Sequence, residues 1–343
     1  MERHPLTTPR EDGFRMPAEW AAHTRCWMAW PCREQVWGDR IERAREVYAE
    51  VAQAISEFEP VTMIARPELT ASVSLYCGQG VSVLPMPHDD SWTRDTGPSF
   101  LVDGRDNLAG IEWRFNGWGE LYADYAQDAR MAGRILERVG CRRYQSSLVV
   151  EGGAIHVDGE GTGLVCEASV LDPARNPGLS RADVEAELGA RLGLDRVIWL
   201  PQGLVDDETR GHVDNLACFV RPGVVLALVS DDPKDGNYEI LQANLDLLAG
   251  TSDAQGRRLE VLTVAQPRRR ERGDGRRLTL SYVNFYLANG AVVMPSFASS
   301  SDSAAYKTIG TAFPGREVVQ IDMSDVVRGG GGIHCITQQQ PAP

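Results

Sequence analysis

Apolar and polar positions along this chain alternate in short blocks, and turn dipeptides punctuate the blocks. The apolar run 98–102 meets Asp103-Gly104, and the run 154–157 meets Asp158-Gly159. The run 216–221 meets Pro222-Gly223 and resumes as Val-Val-Leu-Ala-Leu-Val. The run 283–288 meets Asn289-Gly290 and resumes as Ala-Val-Val-Met-Pro. Asp-Gly and Asn-Gly between β-rich runs predict hairpins, because glycine accepts the positive φ that a two-residue loop demands.

Between the hairpins the hydrophobic period lengthens. Residues 40–58 place Val47, Val51, Ile55 and Phe58 at helical spacing, and residues 122–139, 181–192 and 238–249 behave alike. Ser180 and Asp183 form a capping start for the third of these. Short strands follow at 61–64, 197–200, 259–264 and 318–321. The repeated unit is thus a hairpin, a helix and a further strand. Four hairpins are complete, and residues 27–30 with 333–337 would supply a fifth from the two chain ends. The expectation is a single α/β domain over residues 1–343, closed as a five-bladed propeller with no free sheet edges. A doubly wound sheet competes, but no Gly-x-Gly-x-x-Gly follows a first strand.

Composition narrows the function. With 343 residues, 43% hydrophobic and 24% charged, the chain can bury a large core. It contains no apolar run near the length of a membrane span, and Met-Glu-Arg-His-Pro lacks the apolar stretch of a secretion leader. Seven cysteines without a Cys-x-x-Cys pair predict a reduced, cytoplasmic protein. A net charge of -13 repels phosphate backbones, which argues against nucleic acid and suits a small cationic substrate. The basic cluster at 268–277 is broken by Glu271, Gly273, Asp274 and Gly275, and reads as a solvated loop.

Polar and reactive residues gather where each inner strand is predicted to begin. They are Trp92 to Pro98 with Asp95, Glu151-Gly152-Gly153, His212-Val213-Asp214, Ser281 to Asn284, and Gly329 to Gly332 with His334 and Cys335. In a ring these starts converge near one end of the axis. His212 and Asp214, two apart, would share a face of a strand, and a histidine beside a carboxylate can serve as acid or base. Taken alone, that spacing describes a hydrogen-bonded structural pair. Arg94 beside Asp95 equally describes a salt bridge, and Glu151 a turn residue. Cysteine is among the most buried residue types, so Cys335 alone reads as a small core residue. The four glycines before it instead suit a thiol that a substrate must approach.

Other chemistries fit less well. His-Glu-x-x-His is missing, and His88-Asp89-Asp90 after Pro87 reads as a loop. His156 alternates with apolar neighbours as a strand histidine would. No Gly-x-Ser-x-Gly is present for a serine nucleophile, and Ser299 to Ser303 reads as a polar loop.

Motifs spanning nearly the whole chain resemble the agmatine deiminases, within the guanidine-modifying enzymes. They are DGFRMPAEW from Asp12, Trp92 to Pro98, Phe115 to Gly119, EGGAIHVDGEGT from Glu151, Arg175-Asn176-Pro177, DETRGHVDN from Asp207, SYVNFYLAN from Ser281 and GGGGIHCITQQQP from Gly329. The resemblance implies a five-bladed α/β propeller that hydrolyses agmatine to N-carbamoylputrescine and ammonia, a step toward putrescine, without metal or organic cofactor. It places the nucleophile at Cys335, the acid/base at His212 and guanidinium-holding carboxylates at Asp95 and Asp214. Glu151 would support His212 or the substrate nitrogens, Trp92 would cover the alkyl chain, and Glu208 would face the distal ammonium. The bound cation and His212 would favour the thiolate of Cys335. A homodimer is a family-level expectation.

The chain departs from the family pattern at Glu120, at Ser299 to Ser301 and at Cys32. The second departure leaves substrate choice open, so a deiminase for arginine or peptidyl arginine is the alternative. A propeller that only binds cations is a further rival, but binding needs no thiol.

Overall fold

The computed structural model describes residues 7–343; residues 1–5, considered above as a leader, lie outside the described residues. Its strands form five small sheets. Four share one order, an antiparallel hairpin followed by a third strand parallel to the hairpin's second. They comprise Ser99–Val102, Leu108–Arg114 and Arg142–Val149; Ile155–Val157, Thr162–Cys166 and Arg196–Leu200; Ala217–Arg221, Val224–Val229 and Glu260–Ala265; and Tyr286–Ala288, Ala291–Ser296 and Glu317–Asp322. The fifth joins the chain ends. Gln338–Pro341 runs antiparallel to His23–Ala29, which lies parallel to Val61–Ala65, and Val81–Pro85 adds a fourth strand.

Each parallel step needs a crossover, and a helix supplies it. Six crossover helices serve the six parallel steps: Ile41–Ser56, Thr70–Cys77, Met131–Val139, Arg181–Leu192, Tyr238–Gly250 and Asp302–Ala312. Ile41–Ser56 buries Val47, Tyr48, Val51 and Ile55 in one cluster with Met28 and Met63. Each such side chain contributes roughly 1.5–3 kcal/mol by leaving water. Arg181–Leu192 starts at the predicted capping box, where Ser180 and Asp183 each take the other's backbone N–H.

Several local expectations change. Pro222-Gly223 and Asn289-Gly290 are two-residue turns, closed by the pairs Arg221–Val224 and Ala288–Ala291 with φ of +76° and +90° at the glycines. Asp103-Gly104 and Asp158-Gly159 instead open longer loops, closed by Val102–Leu108 and Val157–Gly163. The aspartates decide this. Asp103 accepts the N–H groups of Arg105 and Asn107, and Asp158 those of Glu160 and Thr162, so each side chain organises its own loop. The helix predicted at 122–139 starts only at Met131, because the buried Asp128 carboxylate pins the chain to the backbone N–H groups of Asp89 and Asp90. Residues 333–336 form a turn, and the terminal strand follows at Gln338.

The position of that turn is general. A single helical turn or tight turn precedes every hairpin's first strand: Thr93–Thr96, Gly152–Ala154, Val213–Asn215, residues 282–283 and residues 333–336. The reactive residues therefore sit on turns ahead of the strands. His212 and Asp214 share one such turn instead of one strand face.

Candidate active site

The turn sequences explain how each side chain is aimed. Ahead of His212, the Asp207 carboxylate accepts N–H groups from Thr209 and Gly211, and the Thr209 hydroxyl accepts the N–H of His212 (3.1 Å). That network accounts for the run from Asp207 to His212 and holds Arg210 at a positive φ of 66°. On the Asp95 turn, Thr93 donates its hydroxyl to the carbonyl of Ile336 (2.8 Å), tying this turn to the one bearing Cys335. Arg94 points away from Asp95 and pairs with Glu19 at 3.2 Å, so the expected neighbour salt bridge does not form.

Four of the turns bring Asp95, Glu151, His212, Asp214 and Cys335 together, all buried. Asp95 accepts the backbone N–H of Gly153 (3.0 Å) on Oδ1 and the indole N–H of Trp118 (2.8 Å) on Oδ2. His212 lies with Nε2 3.2 Å from Glu151 Oε2 and Nδ1 3.7 Å from Asp95 Oδ1. Arg175 donates its Nε–H to both oxygens of Glu151, at 2.9 and 3.0 Å. The Sγ of Cys335 is 3.5 Å from Asp214 Oδ2 and 3.3 Å from Asn284 Nδ2. No hydrogen bond joins His212 to Cys335 among the described residues. Two buried polar atoms, His212 Nδ1 and Asp214 Oδ1, have no partner. Such atoms cost stability unless a ligand or water completes them.

Two glycines keep the space open. A β-carbon on Gly153 would stand 2.7 Å from His212 Nδ1 and 2.9 Å from both Asp214 Oδ2 and Asp95 Oδ1. One on Gly331 would stand 2.7 Å from the Trp92 ring and 3.0 Å from the sulfur of Cys335. The glycine run therefore clears the approach to the thiol.

Beside this cluster lies an open cleft lined by Trp92, Trp118, Tyr122, Glu208 and Gly329 to Gly331, together with Asp95 and Cys335. Trp92 is stacked on Trp37 at 5.7 Å between ring centres, which fixes its plane. Glu208 is held by Arg272 at 2.6 Å and by Arg276 at 3.4 Å. The basic loop is thus only partly solvated: Arg272 reaches the cleft wall, and Arg277 is buried on Asp235. Ser299 and Ser301 bond to one another and around Asp302 and Tyr282, away from the cleft lining. His88 meets the backbone carbonyls of Met86 and Trp30 through its two ring nitrogens, as a structural histidine would.

The charges interact strongly. Burial pushes the His212 imidazole down, but the carboxylates of Asp95, Glu151 and Asp214 outweigh it and lift the pKa to about 9. Burial raises Glu151, and Arg175 with His212 reverses this, taking it to about 2. Asp95 is raised, mainly by burial and further by Asp214 and Glu151, despite the relief His212 provides. Cys335 is pushed well above the usual thiol range by burial and by the carboxylates of Asp214 and Asp95. Burial and the two carboxylates facing the sulfur therefore favour the thiol. A cation between those carboxylates would offset their part of that shift, which is the condition under which the thiolate is expected.

Sequence reasoning left three contributors without a role. Trp118 stood in the quoted Phe115 to Gly119 motif and Arg175 in Arg175-Asn176-Pro177, but neither indole nor guanidinium had a visible partner in sequence. Asn284 was placed at a unit opening, without its contact to the thiol. Chemically, the assembled site offers two carboxylates for a planar cation, a sulfur beside them and an imidazolium opposite.

The chain can be placed among known proteins. Residues 15–341 match the family model of the Porphyromonas-type peptidyl-arginine deiminases. A Legionella pneumophila (strain Paris) protein, provisionally assigned as an agmatine deiminase, is 47% identical over 338 residues, with 98% of this chain and 97% of that one covered. The agmatine deiminase of Stutzerimonas stutzeri (strain A1501) is 44% identical over 361 residues, covering 98% of each chain. The solved structure of Enterococcus faecalis agmatine deiminase superposes with a TM-score of 0.95 at 35% identity, covering all of both chains. With its full length matched and its mixed α/β architecture shared, this chain belongs to the Porphyromonas-type peptidyl-arginine deiminase family.

Proposed function

We propose that this protein hydrolyses agmatine to N-carbamoylputrescine and ammonia through a covalent intermediate on Cys335, on the way to putrescine. One observation carries the reading. Asp95, Asp214, His212 and Cys335 converge on a space that only a glycine, Gly153, leaves free. The agmatine deiminase names of the full-length relatives support the substrate.

A guanidinium is planar, stays protonated and is a poor electrophile. Paired hydrogen bonds from Asp95 and Asp214 hold it with its carbon over the sulfur. The cation offsets the two carboxylate charges that, with burial, keep Cys335 protonated, and the thiol releases its proton to solvent as substrate binds. The thiolate adds to the guanidinium carbon. His212, protonated in the resting site, gives its proton to the departing nitrogen, and ammonia leaves an amidino group on sulfur. His212, now neutral, takes a proton from water; the hydroxide adds to the same carbon, and the C–S bond breaks to release the urea. Glu151, held by Arg175, orients His212. Trp92 covers the alkyl chain, and Glu208 receives the distal ammonium after exchanging its Arg272 contact.

The same reading covers the rest of the molecule. Four sheets of one strand order, and a fifth made from both chain ends, support a single domain closed as a five-bladed α/β propeller. Among the described residues no helix is long and apolar enough to cross a membrane. Together with seven unpaired cysteines and an acidic charge, this supports a cytoplasmic protein working on a small cation without nucleic acid. The family resemblance adds a homodimer.

A second reading has its own observation. Arg272 already neutralises Glu208, and a freed Arg272 would suit the carboxylate of arginine. Incubation with agmatine, arginine and a peptidyl arginine, with ammonia and ureido product measured, separates the readings. We expect turnover of agmatine, surviving chelator treatment. Turnover of arginine alone would transfer the assignment to the second reading, and no turnover of any would leave a cation-binding module.

A further inference from the structure

Asp95 and Asp214 face the same space, yet burial raises the first, while the second is lowered in spite of burial. What distinguishes them is His334. Its Nδ1 is 3.0 Å from Asp214 Oδ2 and its Nε2 is 2.9 Å from Glu19 Oε1, with all three side chains buried. Glu19 comes from the N-terminal run that ends at Trp20, a motif with no place in the chemistry above.

We infer that Glu19 and His334 are positioning residues: His334 is a permanent imidazolium, donating to a carboxylate from each ring nitrogen, and it holds Asp214 ionised and aimed at the guanidinium. The inference rests on the reading of Asp214 as a guanidinium holder. Ionised carboxylates only accept, so an imidazole bonded to one at each nitrogen must carry both protons.

Charges alternate along the chain of contacts. Arg94 pairs with Glu19, Glu19 with His334, and His334 with Asp214, beyond which lies the substrate cation. Arg94 also donates from Nε to the His334 carbonyl (3.3 Å), and His156 lies 3.6 Å from Glu19. Cys335 is the next residue, and the Asn284 side chain accepts the His334 N–H at 3.0 Å. Burial and Arg94 work against the imidazolium, while Glu19 and Asp214 prevail and raise its pKa. Without it, Asp214 would lie buried beside Asp95 and Glu151 and be driven to take a proton, which ends its ability to hold a cation.

Imidazole ¹⁵N spectra of the full-length protein test this directly, with His334 assigned through His334→Gln. Protonation of both nitrogens throughout the neutral range is expected; a neutral tautomer overturns the inference. This measurement needs no turnover, so it stands even if agmatine proves not to be the substrate. Kinetics give the second arm. In His334→Gln and Glu19→Gln, the acid limb of kcat/KM for agmatine should move up by about one pH unit, a roughly tenfold loss below that limb. A uniform loss with an unmoved profile would make the pair scaffolding only and would also overturn the inference.

Discussion

The α-carbon of Gly153 faces the imidazole of His212 so closely that a β-carbon there would lie 2.7 Å from Nδ1. The same methyl would stand among the oxygens of Asp95 and Asp214, which in the proposed reaction receive the guanidinium. Gly153→Ala should therefore cost about 10²-fold in kcat/KM, the scale of a misplaced reacting centre. Its melting temperature should stay close to that of the unmodified protein. A loss of activity explained by a matching loss of folded protein would argue against this account.

Cys335 faces two carboxylates, so its thiol should stay protonated at neutral pH in the free protein. Thiolate absorbance, read as the difference between the protein and Cys335→Ala, should appear only in the strongly alkaline range. Cys335→Ala should lose turnover, and the unmodified protein quenched during turnover should gain the mass of an amidino group. A thiolate signal at neutral pH without substrate would overturn the substrate-triggered step.

The His212 pKa of about 9 sets a pH limit. In the proposed reaction the group must be protonated to release ammonia, so kcat/KM should fall as pH rises through that value. Glu151→Gln removes one of the carboxylates that raise it, and the alkaline limb should move down. Stability follows the same sign. A raised folded pKa stabilises fully below the unfolded imidazole value of about 6.5, and that contribution is lost as pH rises through about 9. Melting curves of the protein and His212→Gln should therefore converge in the alkaline range.

Arg272 holds Glu208 where the distal ammonium would dock. Arg272→Gln should lower the KM for agmatine severalfold with kcat unchanged, since a partly exposed ion pair is worth under about 1 kcal/mol. Glu208→Gln should raise KM about tenfold or more, as a charge-assisted hydrogen bond is lost. Butylguanidine, which lacks the ammonium, should respond to neither substitution. An equal response would remove Glu208 from the binding site.

The repeat was legible because hydrophobic period and turn chemistry are local properties. Val47, Val51 and Ile55 marked the first crossover helix, and Asn289-Gly290 marked the turn of the hairpin Tyr286–Ala288 and Ala291–Ser296. Asp103 and Asp158 misled because a carboxylate beside glycine can also bond its own loop. Chain order showed that Glu151, His212 and Cys335 open separate units, yet it could not show that turns, not strands, carry them.

The sequence by itself determined the residue types of the chemistry: a thiol behind four glycines, an imidazole, and carboxylates at equivalent points of a repeat. Only the tertiary structure decided their charge states and partners. Arg175 lies 24 residues from Glu151 and Glu19 lies 315 from His334, and both pairs meet only through folding. Coulomb energy and desolvation depend on distance and burial in space, so the balance between thiol and thiolate at Cys335 could not be read from chain order.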